Sequence, residues 1–183
     1  MSRSKDEVLK LVAEAQAGDP AAFGVIYEEF LNPIFRFIVM QVRHQADAED
    51  LTQEVFVKAF SRLEQFTDQG HNFSAWLYQI ARTTTLDWFK KKKLVIVDQP
   101  DEVFGNIESP HGNPLVLALN KESQESLTRA LAKLSHTDRE VLVLYYVSDL
   151  TYAEIAEALQ ISEEAVRQRK SRGLKALRMI LGG

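Results

Sequence analysis

Apolar residues along this chain recur every three to four positions, the period of helices that bury one face, and they seldom alternate as strands require. Residues 5–17 set Val8, Leu9, Leu11, Val12 and Ala15 on that period, and Gly18 ends the run. Asp19-Pro20 then reads as a cap followed by a proline at the first helical position. The helix it opens runs to about Arg43 and carries Phe23, Ile26, Phe30, Ile34, Phe37 and Ile38; Pro33 should kink or divide it. A third helix from Asp47 buries Leu51, Val55, Phe56, Ala59, Phe60 and Leu63, and turns Glu49, Asp50, Gln53, Glu54 and Lys58 outward. After a polar loop at 65–72, the segment FSAWLYQIARTTTLDWFKKKK (73–93) places Phe73, Trp76, Leu77, Ile80, Ala81 and Thr84 at core spacing.

The period is lost over 94–120, which holds three of the five prolines and no lysine or arginine. This reads as a linker, with at most a short extended piece at 94–97. Helical spacing resumes at 121–134 with Leu127, Leu131 and Leu134. Thr137 and Glu140 have capping-box spacing ahead of Val141, Leu142, Leu144 and Tyr145. A second such box, Thr151 with Glu154, opens a short helix bearing Ile155, Ala156 and Leu159, with small Ala156 at a close helix crossing. A turn at Gln160-Ile161-Ser162 and a last helix capped by Ser162 complete a helix-turn-helix. The expected fold is all-α: two small helical modules, 1–93 and 121–183, joined by a flexible acidic linker over 94–120.

Charge sharpens this division. The net charge of −4 is uneven: 94–120 holds four acidic residues and no basic ones, while 121–183 holds ten basic and nine acidic. Absence of cysteine excludes disulfides and cysteine-ligated metals, and the four histidines stand at no metal-ligand spacing. No phosphate-cradling glycine loop or nucleophile motif is present, so neither a cofactor nor catalysis is expected. The start, MSRSKDEVLK, lacks the apolar run of a signal peptide, and no stretch approaches the ~18 apolar residues of a membrane span. A cytoplasmic chain without membrane insertion is the expectation.

Three surfaces carry candidate chemistry. The last helix presents Arg167, Arg169, Lys170, Arg172, Lys175 and Arg178 with no acidic residue among them, which suits insertion in the DNA major groove; a solvated basic face is the plain alternative. In 73–93, Tyr78, Arg82, Thr85, Trp88 and Phe89 lie partly off the core stripe and run into four lysines, Lys90 to Lys93. Rings beside cations suit single-stranded nucleic acid, although lysines also favour any helix C-terminus. The acidic face of the third helix is either solvated or a docking surface for a basic partner. A conventional helix-turn-helix regulator with a sensing module would also explain the C-terminal half, but would leave 47–60 and 73–93 without a role.

Taken together, these segments resemble the extracytoplasmic-function (ECF) sigma factors, the promoter-specificity subunits of bacterial RNA polymerase. DAEDLTQEVFVKAF (47–60) resembles the family's polymerase-docking helix, and 73–93 its minus-ten reader. REVLVLYYVSDLTYAEIAEALQISEEAVRQRKSRGLKALR (139–178) resembles its minus-thirty-five reader. The resemblance implies docking on the clamp of the largest polymerase subunit through Asp50, Gln53 and Glu54, and contact with the flap of the second subunit. It implies minus-ten recognition and melting by Phe66, Asn72, Phe73, Tyr78, Arg82, Thr83, Lys90 and Lys91, with loop 66–72 capturing a flipped base. It implies major-groove reading by Arg167, Gln168, Ser171 and Arg172, with Arg169 and Lys175 on phosphates. Promoter DNA, duplex and melted, and an anti-sigma factor are the further partners it suggests. The chain departs from the family pattern at Thr83 (commonly Asn), Gln160 (commonly Gly), Glu164-Ala165 (commonly Gly-Thr) and Lys170 (commonly apolar). The Lys170 stem should therefore snorkel along the core.

Overall fold

The computed structural model describes residues 3–68, 72–95 and 121–182; the side chains of 93–95, 121–125 and 128 are outside that description, as is the span 96–120 expected to form most of the linker. Among the described residues the chain is helical, with one short 3-10 turn at Leu63–Gln65 and no strand. The helices are α1 (Lys5–Gln16), α2 (Pro20–Val42), α3 (Gln45–Ser61), α4 (Phe73–Val95), α5 (Lys121–Ala132), α6 (His136–Tyr146), α7 (Tyr152–Leu159) and α8 (Glu163–Leu181).

Most helix ends follow from caps legible in the sequence. Asp19 accepts the Ala21 amide ahead of Pro20, and Gly18 takes φ +98°, a conformation open to glycine without side-chain strain. Thr151 and Glu154 complete a capping box on α7, and Ser162 accepts the Ala165 amide on α8. Three expectations are corrected. The α6 cap is Ser135, which accepts the Asp138 amide, while Glu140 is buried and turned toward the first module instead of closing a box with Thr137. Leu94 and Val95 continue α4 as helix, not as an extended piece. Pro33 does not divide α2, because Ile26 and Phe30 before it and Ile34, Phe37 and Ile38 after it are buried in one core. Packing of both halves carries the helix through the missing ladder bond.

α1 to α4 form the first module, and α3 is tied to α4 by Lys58 Nζ donating to Thr84 Oγ1 at 3.1 Å. α5 to α8 form the second, where Leu131, Leu134 and Leu142 pack with Leu127, Leu174, Leu177 and Ile180. Gly173 lets α8 lie on α6: a Cβ there would stand 3.0 Å from Leu142 Cδ1. That approach, more than the half-buried Ala156, is the tight crossing of the module. A second apolar cluster is continuous across both modules, joining Leu77, Tyr78 and Ala81 of α4 to Val141, Leu144, Ile155 and Leu159. Tyr78 and Thr85, expected partly off the core stripe, are buried: the Tyr78 ring meets Phe37 of α2 edge-on at 5.5 Å, and the Thr85 hydroxyl donates to the Ala81 carbonyl at 2.8 Å.

Candidate nucleic-acid interface

α8 presents its N-terminal half to solvent, with Arg167, Gln168, Ser171, Arg172 and Lys175 exposed and Arg169 half-buried. The side chains are not equally available. Arg167 pairs with Glu163 at 2.9 Å, and Gln168 donates to Glu164 at 3.2 Å, so the acidic first turn holds the first two groove-facing positions. Arg172 forks onto Asp138 of α6 with Nε–Oδ2 2.8 Å and Nη2–Oδ1 2.5 Å. The guanidinium holds the Asp138 carboxyl below the usual carboxylate range, assisted by the Ser135 hydroxyl. Arg172 is thus also a strut between α6 and α8.

Lys170 does not merely snorkel. Its ammonium lies 3.5 Å from the Tyr145 ring centroid, 5.1 Å from that of Tyr152 and 5.3 Å from that of Tyr146, and donates to the Tyr152 hydroxyl at 2.9 Å. Tyr145 and Tyr152 stack at 5.2 Å, and Arg167 lies 5.1 Å above the Tyr152 ring. Cation–π attraction and the hydrogen bond fix the face of α8 against the start of α7. The hydrogen bond from Lys170 pulls the Tyr152 phenol below its ordinary range. The unusual lysine is the signal the sequence offered for this cage; the three tyrosines could not be grouped without the fold.

On α4 and the preceding loop, the expected strand contacts separate into two layers. Phe66, Phe73 and Tyr78 are buried, with Phe66 and Phe73 at 5.4 Å centroid separation and Trp76 at 5.4 Å from each. These rings, expected to contact a base, are buried in this structure, because aromatic surface of this size is drawn into the core. Above them, Thr83, Lys90 and Lys91 are exposed and Asn72 and Arg82 half-buried. Residues 69–71 of the expected base-capture loop lie outside the described residues. The Thr83 hydroxyl donates within its own helix, to the Gln79 and Ile80 carbonyls at 3.0 Å. Lys92 lies 4.4 Å over the half-buried Trp88 ring, a cation–ring pair at the basic end of α4.

α3 turns Asp50, Gln53 and Glu54 to solvent as expected, but Phe60 is not in the buried stripe. It is 59% exposed and Val57 68% exposed, with Phe60 meeting Phe23 edge-on at 4.9 Å. Positions 50, 53, 54 and 57 share one helical face, so a signal was present in the spacing; Phe60 was misassigned because it borders two faces. Among the described residues no cluster of three or more His, Asp or Glu could hold a metal, and no helix is long and apolar enough to cross a membrane.

Two helical modules with a basic helix-turn-helix at the end define the class, and family models agree: residues 26–95 match Sigma-70 region 2 and residues 130–179 match Sigma-70, region 4. SigM of Bacillus subtilis, an ECF RNA polymerase sigma factor, is 30% identical over 83% of this chain and 92% of its own length. The chain belongs to the ECF RNA polymerase sigma factors. BldN of Streptomyces coelicolor is 32% identical over 95% of this chain, which spans 66% of that relative, and SigW of Bacillus subtilis is 29% identical over 93% of this chain and 95% of its own. The structure of CnrH in complex with the cytosolic domain of CnrY has the same fold, with a TM-score of 0.69 at 24% identity, covering 98% of both chains.

Proposed function

We propose that this chain docks on core RNA polymerase through α3, reads the minus-thirty-five element with α8 and the minus-ten strand with α4, and opens promoter DNA without catalysis of its own, in the cytoplasm. The observation that carries the docking is the α3 stripe of Asp50, Gln53, Glu54, Val57 and Phe60, exposed apolar surface rimmed by carboxylates. Large apolar side chains held in water beside charge mark a protein-binding face. On α8, Arg167, Gln168, Ser171 and Arg172 face the groove while Arg169 and Lys175 meet phosphates; the acidic first turn and Asp138 release their partners when bases compete. On α4, Asn72, Arg82, Thr83, Lys90 and Lys91 meet the melted strand, and Phe66, Phe73 and Tyr78 support that surface from beneath. An anti-sigma factor is a further partner; CnrH is bound to CnrY, and sigma factor RpoE of Bartonella quintana to the anti-sigma factor NepR.

The test is co-elution with bacterial core RNA polymerase on a sizing column in moderate salt. A stoichiometric complex is expected. No complex, together with tight duplex binding by the chain alone, would instead make it an ordinary helix-turn-helix regulator.

A further inference from the structure

The cations of α8 are restrained in two ways, which act on different parts of the side chain. Arg172 is held by its edge: Nε and Nη2 both donate to Asp138, and these are donors that a guanine would take. Arg167 is held by its face as well. Its Nη2 donates to Glu163 at 2.9 Å, Glu164 stands 4.0 Å from Nη1, and the guanidinium carbon lies 5.1 Å over the Tyr152 ring. A base accepts hydrogen bonds from the edge of a guanidinium, while a ring engages its plane. A base can therefore displace the carboxylates and leave the ring contact in place. Among the described residues, the α8 cations lying over a ring are Lys170, half-buried, and Arg167, exposed.

Tyr152 is fixed from three directions. It is the first residue of α7, directly after Thr151, whose hydroxyl accepts the Glu154 amide at 3.3 Å while the Glu154 carboxylate accepts the Thr151 amide at 2.8 Å. A closed capping box thus sets the backbone from which the ring projects. The ring stacks on Tyr145 of α6 at 5.2 Å, 25° from parallel. Its hydroxyl accepts from Lys170 at 2.9 Å, and the same ammonium lies 3.5 Å from the Tyr145 centroid, so one lysine joins both rings. Turning the Tyr152 ring would break the stack and the hydrogen bond together.

An arginine free in water spreads over many rotamers, which it gives up on meeting a base edge. A guanidinium already resting on a fixed ring gives up fewer, which is what pre-organisation contributes to binding. We propose that Tyr152 is a positioning residue for base selection: it holds the face of Arg167 so that the edge meets one guanine in the major groove, and Lys170 and Tyr145 keep the ring in place. The proposal rests on the minus-thirty-five role given to α8. Lys170 then acts on the choice of base through Tyr152, with its own charge kept off the phosphates.

The test uses holoenzyme assembled from the full chain and core RNA polymerase, with a pool of promoter duplexes randomised across the minus-thirty-five element and sequenced after binding. Arg167→Ala marks the base pair that Arg167 reads, as the position where guanine preference collapses. Tyr152→Leu removes the ring and keeps an apolar side chain at this half-buried position; Tyr152→Met serves if the leucine chain fails to co-elute with polymerase. The ringless variant should lower guanine preference at that pair about three- to fivefold, the range of an exposed cation–π contact, with the other pairs at parent values. Tyr152→Phe keeps the face and the stack on Tyr145, and should retain more than half of the preference. Unchanged preference in the ringless variant, or an even fall at every pair, would make Tyr152 a support of α8 alone and overturn the proposal. So would a loss in Tyr152→Phe as large as in Tyr152→Leu, or the absence of any single pair that responds to Arg167→Ala. A parent holoenzyme that selects no sequence in this element would instead overturn the reading given to α8.

Discussion

At the scale of single residues, Arg172, Gly173 and Gln160 decide how α8 sits. Arg172 holds two candidate roles, base reader and strut. Arg172→Ala should weaken minus-thirty-five binding and relax base preference there, by about 1–3 kcal/mol if the bidentate base contact forms. An equal loss on every sequence, measured by competition binding, would assign it to phosphate or to support alone. The Asp138–Arg172 pair also has a pH signature. A folded carboxyl depressed below its unfolded value contributes stability that is fully present above the ordinary carboxylate pKa and is lost as pH falls through the folded value. The parent's advantage over Asp138→Asn in denaturant melts should thus be constant near neutrality and shrink once pH falls below about 4. Gly173→Val would drive carbon into Leu142, which is itself packed among Leu131 and Leu134; overpacking of this kind costs about 1–3 kcal/mol, readable in urea titrations. Gln160 sits in the left-handed region at φ 55°, so Gln160→Gly should raise stability by about 1 kcal/mol by removing that strain.

At the scale of elements, α3 shows how much function a helix pattern conveys and where it stops. Its carboxylates were legible because they fall on one face of a strongly periodic segment. Val57 could have been found from its spacing to Gln53 and Glu54; Phe60 could not, because an apolar residue at a face boundary reads as core until neighbouring helices are placed. α4 failed in the opposite sense: Tyr78 and Thr85 read as partly off the core stripe, yet both are buried, Tyr78 against Phe37 of α2, and α7 packs on α4 from over sixty residues away. The α6 cap was misread since Thr137 and Glu140 had ideal spacing, but Arg82 recruits Glu140 across the module boundary and leaves capping to Ser135. The capping box of α7, the Ser162 cap of α8 and the turn between them were legible, being local chemistry. The α3 stripe supplies its own test: Asp50→Lys with Glu54→Lys should abolish polymerase co-elution without lowering the melting temperature. Phe60→Ala should weaken it with little cost in stability, since the ring is mostly in water.

At the scale of the whole molecule, one apolar cluster runs through both modules of the described chain. Most of the continuous cluster from Val8 to Val166 belongs to the first module; it is the second module that gains from sharing it, since Leu131, Leu134 and Leu142 alone would be a thin core. The division at 94–120 was visible as a change of composition; the packing of α4 on α7 depends on contacts too distant in sequence for any local period to reveal.

The tyrosine cage has one further consequence, in counterion release. Of the six cations on α8, Lys170 is held over rings, and Arg167 and Arg172 are held by carboxylates. Arg169, Lys175 and Arg178 make no ion pair among the described residues. Duplex affinity falls with salt by a slope of about −0.9 per phosphate neutralised, so Arg169 and Lys175, the two of these given to phosphates, give a slope near −2 where six would give one beyond −5. Lys170→Met should leave that slope unchanged while weakening affinity through the loosened helix; a slope shallower by one would mean that the lysine leaves its rings for the DNA.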